Sequence, residues 1–191
     1  MKQLSLEVRA CRACSLVLPR GPRPIFQISE AARILIASQA PGSKAHESGI
    51  PFSDDSGDRL RQWTGLSKDV FYDSESVAIL PMGLCYPGRQ PGGGDAAPRK
   101  ECAPLWRERL LGKMPNIRLT LLVGSYAQDH MLGRGKVSER VASFRSYLPT
   151  VFPLPHPSWR VRRWAAENPE FDADILPALR DAVVSALCEE K

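Results

Sequence analysis

At 191 residues, 43% of them apolar, the chain is long enough for one domain, or slightly more, with a proper core. Its net charge of +5 favours polyanionic partners without naming one. No apolar run approaches the roughly 20 residues of a membrane-spanning helix, and residues 1–7 lack the apolar stretch of a secretion signal, so the expected setting is the cytoplasm, with no membrane partner.

In chain order, Leu4 to Ala13 reads as a weakly amphipathic helix ending at a Cys-x-x-Cys, Cys11 and Cys14. Residues 18–24 are too rich in proline for a helix. Residues 1–24 are therefore expected to form an arm on a single domain spanning 1–191. Ile34 to Ala37 is a short apolar run, the pattern of a buried parallel strand, stopped by Gln39-Ala40-Pro41-Gly42. A polar loop interrupted by Phe52 follows, and then Leu60, Trp63 and Leu66 fall on one helical face. Val77 to Leu80 reads as a second strand, ending in a Pro/Gly turn at residues 81–88. Residues 89–98 are a Gly/Pro-rich surface loop, and Glu101 to Leu111 a helix. Leu119 to Val123 reads as a third strand, followed by Gly124-Ser125 and a helix to about Leu132. Val151 to Leu154 reads as a fourth strand, broken by Pro153, and Phe171 to Cys188 as a terminal helix. This alternation predicts a three-layer α/β/α sandwich around a short, mainly parallel four-stranded sheet. All four strand ends would then line one cleft, where open α/β sheets bind ligands.

Three groups of residues carry chemistry. Cys11, Cys14, Cys85 and Cys102 combine a Cys-x-x-Cys with two distant cysteines. A reducing cytosol argues against disulfides, and four thiolates suit a tetrahedral zinc or a four-iron cluster, which spacing alone does not separate. Ordinary buried cysteines are the alternative. Phe52 and the carboxylates Asp54, Asp55 and Asp58 fall together beyond the first strand, although acidic residues there also cap helices. Arg160, Arg162 and Arg163 crowd beside Trp159 and Trp164, which reads either as an anionic-partner surface or as a solvated helix start.

Gln39-Ala40-Pro41-Gly42, Gly49-Ile50-Pro51-Phe52, Ser56-Gly57 and His156-Pro157-Ser158 resemble the motifs of the uracil-DNA glycosylase superfamily. The order and spacing of Cys11, Cys14, Cys85 and Cys102 resemble its iron–sulfur branch, and residues 164–171 resemble a bacterial subgroup. The resemblance implies a monofunctional enzyme that flips uracil out of single- or double-stranded DNA and hydrolyses its N-glycosidic bond, leaving an abasic site. It implies a structural [4Fe–4S] cluster on the four cysteines, with zinc as the alternative occupant, and a monomer. Phe52 would stack on the base and His156 would donate to uracil O2, with Gln39, Ala40 and Gly83 completing the uracil contacts. Ser158, Trp159 and Arg160 match the loop that relatives push into the duplex. Arg162, Arg163 and Ser125 would hold phosphates.

Two departures from the family pattern matter. Many relatives carry an acid where this chain has Gln39 and Ala40, so Asp54, and after it Asp55, is nominated for the catalytic carboxylate. Relatives often read uracil with an Asn near the end of the second strand, whereas here the stretch is Leu80-Pro81-Met82-Gly83, leaving backbone groups at Gly83 to do so. The missing acid keeps a second function class open: a uracil- or abasic-DNA-binding protein of the same fold with little turnover. A zinc-stapled nucleotide-binding protein is a third.

Overall fold

The computed structural model describes residues 1–188. Helix α1 (Lys2–Arg9) precedes strand β1 (Ile34–Ala37), and the short helix α2 (Ser43–Ser48) and helix α3 (Asp55–Thr64) follow it. Helix α4 (Lys68–Tyr72), strand β2 (Val77–Ile79), helix α5 (Cys102–Leu111), strand β3 (Leu119–Val123) and helix α6 (Ser125–Leu132) come next. The chain closes with α7 (Val137–Ala142), a 3₁₀ turn (Phe144–Tyr147), β4 (Val151–Leu154), α8 (Val161–Glu167), a π-helical turn (Phe171–Ile175) and α9 (Leu176–Leu187).

The four strands form one parallel sheet in the order β2-β1-β3-β4. β1 is the hub: Ile34 pairs with Val77 on one side and Leu119 on the other. Every residue of β1, β2 and β3 is buried, because helices cover both faces. Alternation along the strands sorts the core into two halves. Ile34, Ile36, Val77, Ile79, Leu121 and Phe152 pack with Leu60 and Trp63 of α3 and with Leu179 and Val183 of α9. Leu35 and Ala78 face the other way, onto Leu4 and Val8 of α1 and Leu110 of α5. The three-layer α/β/α sandwich around a parallel four-stranded sheet is therefore as expected.

The differences are local. Pro153 does not break β4, which runs unbroken opposite Leu122. β4 is an edge strand, and the carbonyls of Thr150 and Leu154 point at β3. The Pro153 nitrogen therefore faces away from the sheet, where no ladder bond is lost. α1 ends at Arg9, so Cys11 and Cys14 lie in the turns beyond it rather than on the helix.

Two buried polar side chains fix the strand ends that floor the cleft. The Gln128 amide of α6 donates to the Leu122 carbonyl at 3.2 Å and the Leu154 carbonyl at 2.8 Å, tying β3 to β4. Arg107 of α5 is buried and donates to the Leu80 carbonyl at 3.1 Å, and burial pushes its guanidinium down to about 10.

Candidate active site

Because the strands are parallel, the turns after all four open on the same side. Ser38 to Gly42 follows β1, Pro81 follows β2, Tyr126 follows β3, and His156 to Arg160 follows β4. These turns line one cleft with Pro51, Phe52, Asp54 and Ser56 from the start of α3. The structure thus brings Phe52 and Asp54, from the turn into α3, together with His156, from the turn after β4.

Phe52 is held by its backbone. Its φ of 54° is the sole positive value at a non-glycine among the described residues, a costly conformation for an aromatic. The Tyr72 hydroxyl donates to its carbonyl at 2.9 Å. Gly57 makes room for that carbonyl, since a β-carbon there would stand 1.8 Å from it. The half-buried ring meets Phe71 edge-on, with centroids 6.2 Å apart, and its remaining surface is turned to the cleft.

Asp54 is the N-cap of α3, and its Oδ1 accepts the Gly57 N–H at 3.0 Å. Its other oxygen, Oδ2, lies beside the Gly42 turn. His156 sits between two buried prolines, Pro155 and Pro157, and the Pro157 carbonyl accepts from Arg59. Gly124 lies against the imidazole: a β-carbon there would meet His156 Cβ at 3.3 Å and Cδ2 at 3.5 Å. Burial holds His156 below the ordinary histidine range, and the charge of Asp54 partly opposes this. The ring is therefore neutral at pH 7, with one N–H to donate.

Of the other nominated residues, Gln39, Ala40, Ser158, Trp159 and Arg160 also line the cleft. Gln39 spends an amide N–H on the Ala96 carbonyl at 3.1 Å. Trp159 is 73% exposed at the mouth, with the Arg160 guanidinium 5.5 Å from its ring centre. Asp55 is not brought in. It is exposed and paired with Lys44 at 3.0 Å, and that hydrogen bond and charge hold its carboxyl below the usual range. Asp54 is the extended N-cap and Asp55 the first helical residue, and Asp55 is not among the residues that line the cleft. Gly83 gives its N–H to the Gln39 carbonyl at 2.9 Å and borders a different cavity. Ser125 is exposed at the start of α6, and Arg162 and Arg163 are exposed on α8, all outside the cleft lining. Arg163 pairs with Glu167 at 2.9 Å.

Sequence reasoning missed the far wall. Arg89, Gln90 and Asp95, read as part of a surface loop, line the cleft too. Burial pushes the Asp95 carboxyl up; Arg89 and a hydrogen bond with Tyr86 oppose this, while Asp54 adds to it. The available signal was an acid directly after Gly92-Gly93-Gly94, a loop otherwise without charge after Arg89.

Cys11, Cys14, Cys85 and Cys102 line one further cavity with Leu18, Pro22, Leu84 and Trp106. Two of the sulfurs accept hydrogen bonds, Cys102 from the Leu84 N–H at 3.3 Å and Cys11 from Trp106 Nε1 at 3.4 Å. Bonds of this kind stabilise cluster thiolates. Burial raises the Cys85 thiol to about 12, and binding a metal would displace that proton. Among the described residues no three His, Cys, Asp or Glu side chains converge as they must around a single ion. The four-thiol donor set and its N–H···S bonds fit a cluster. Cys188 is exposed at the end of α9, far along the chain from these.

Among solved structures, the chain is similar to the solution NMR structure of a protein from Methanosarcina acetivorans provisionally named a uracil DNA glycosylase. The identity is 15%, the match covers 83% of this chain and 98% of that one, and the TM-score is 0.46. The family model described as the uracil DNA glycosylase superfamily matches residues 25–180, which take in the whole sheet and every residue named above in the cleft. By that match, the chain belongs to the uracil DNA glycosylase superfamily.

Proposed function

We propose that this protein excises uracil from DNA, hydrolysing the N-glycosidic bond and leaving an abasic site. The observation that carries the reading is the meeting of Phe52, Asp54 and His156 in one cleft of a superfamily member. A base inside a duplex is unreachable, and extruding it costs a few kcal/mol. Phe52 offers the everted uracil a ring to stack on. As the C1′–N1 bond breaks, its electron pair leaves with uracil and positive charge develops on the sugar. Asp54 answers that charge and orients the water that adds to C1′. The water's proton passes to the carboxylate and then to solvent. The neutral His156 ring donates its N–H to uracil O2, where negative charge grows.

Trp159 and Arg160, at the mouth, suit filling the gap the base leaves, and Arg162 and Arg163 suit phosphates just outside it. The four cysteines would hold a [4Fe–4S] cluster, which supplies a structural link; hydrolysis transfers no electron. A monomer acting on single- or double-stranded DNA in the cytoplasm completes the proposal.

The test is release of uracil from oligonucleotides carrying U:G, U:A or unpaired uracil, read by alkaline strand cleavage. Cleavage at the uracil position is expected. One observation favours a second reading: Asp54 Oδ1 is already committed to capping α3. A protein that binds uracil DNA without cleaving it would support that alternative, a binding module with little turnover.

A further inference from the structure

Two carboxylates meet over the Gly42 turn. A β-carbon on Gly42 would stand 3.3 Å from Asp95 Oδ2 and 3.7 Å from Asp54 Oδ2, so both oxygens border the small space that the glycine leaves. Asp95 reaches it from a tight hairpin in which Arg89 bridges to Asp95, the Gln90 N–H donates to the Gly94 carbonyl at 3.0 Å, and the Ala96 N–H donates to the Gly88 carbonyl at 2.8 Å. The Gln39 amide latches this hairpin to the end of β1 through Ala96. A half-buried carboxylate costs desolvation, which the Tyr86 hydrogen bond and the charge of Arg89 offset in part while its Oδ2 stays beside the Gly42 turn. Asp54, meanwhile, has only Oδ2 free, because Oδ1 caps α3. One oxygen accepts one hydrogen of a water and leaves the molecule free to turn. Two acceptors fix both hydrogens and aim a lone pair.

We infer that Asp95 is the second carboxylate of the cleft, holding the attacking water jointly with Asp54 in the space over Gly42. The inference rests on the reading of the cleft as a uracil-excision site. In the step, the water donates to Asp54 Oδ2 and Asp95 Oδ2 with its lone pair towards C1′. The C1′–N1 bond breaks with its pair on uracil N1, and the C1′–O bond forms. One water proton passes to a carboxylate and from there, through solvent, to the uracil anion. The groups that set the charge here are Arg89 and Tyr86 beside Asp95, Lys44 and His156 near Asp54, and the two acids themselves. Burial and the like charge of Asp54 raise Asp95. It therefore takes up a proton, and stops accepting from water, at a higher pH than an ordinary aspartate.

The experiment is single-turnover uracil release between pH 4.5 and 8 by the wild type, Asp95→Asn, Gly42→Ala and the double variant, with DNA affinity measured alongside. Asp95→Asn should release uracil about 10- to 100-fold more slowly at pH 7, with unchanged DNA affinity and an acidic limb moved to lower pH. Gly42 has an ordinary φ of −80°, so alanine fits the backbone and its methyl occupies the water's space. Gly42→Ala should slow release similarly, and the double variant should be little slower than either single one. An Asp95→Asn protein with the wild-type rate and acidic limb overturns the inference while leaving the excision reading intact. Additive losses in the double variant overturn it as well. A wild type that binds DNA but releases no uracil fails the excision reading itself and takes this role with it.

Discussion

At the scale of single residues, Asp54 has two roles that a substitution can separate. As N-cap it satisfies the Gly57 N–H, and asparagine caps a helix as well as aspartate does. Asp54→Asn should therefore fold with wild-type stability and bind DNA, yet release uracil about 10²- to 10³-fold more slowly, because an amide takes no proton from water. Asp54→Ala should show the same loss and, in addition, a cap cost of about 1 kcal/mol in urea unfolding. Full activity in Asp54→Asn would remove this residue from the mechanism. His156 makes a second prediction. Its folded pKa is lowered by burial. The unfolded chain takes up that proton at about pH 6.5, so the contribution to stability is present above 6.5 and is lost as the pH falls below it. The urea midpoint of His156→Gln should fall less than that of the wild type between pH 7 and pH 5. Parallel curves would show that His156 does not titrate as described.

At the scale of elements, the turn from Pro51 into α3 is the most constrained, since the positive φ of Phe52 and the bare Gly57 are one device. A helical Gly→Ala change ordinarily stabilises by up to about 1 kcal/mol. At Gly57 the sign should reverse, with a loss of at least about 2 kcal/mol, because the methyl would meet the Phe52 carbonyl at 1.8 Å. Gly92→Ala, in open space, is the control. Equal urea midpoints for the two variants would show that the turn yields. The same contrast explains what was legible in the sequence. β1, β2 and β3 could be read because an unbroken apolar run is a local signal, and β4 was read despite its proline. α2, α4 and α7 were not read, since helices of five or six residues show barely one turn of periodicity. Phe52, Asp54 and His156 were found through their motifs. Asp95 was not, because its place in the cleft depends on a latch between Gln39 and Ala96, 57 positions apart, that no local pattern encodes. On α8, Arg162 and Arg163 stand clear of the cleft, so their loss should weaken DNA binding across sequences. The slope of log K against log salt should become shallower by about 2 for duplex DNA. An unchanged slope would place the DNA face elsewhere.

At the scale of the whole molecule, the question is what keeps the first 24 residues on the domain. α1 contributes little: Leu4 and Val8 are its buried side chains, and an eight-residue helix is marginal without packing. Residues 18–24 add only Leu18, Pro22 and Pro24 to the lining of the cysteine cavity. Cys11 and Cys14 from this arm, Cys85 from the turn after β2 and Cys102 from the start of α5 line that cavity. A cluster on them would close three separate chain segments at once, and the binding free energy of such a group is folding free energy. The cavity borders Gly83, whose N–H holds the Gln39 carbonyl, so a cluster bound there and the cleft would share one turn without sharing any reacting group. The purified protein should therefore absorb near 400 nm, as expected of iron–sulfur thiolates. Cys11→Ala should lose that band and melt at a lower temperature. Its uracil-release rate per folded molecule, measured well below the melting point, should stay near the wild-type value. A stably folded Cys11→Ala protein that has lost turnover would instead make the cysteine site part of the chemistry, and a colourless, zinc-loaded protein would replace the cluster with a single ion.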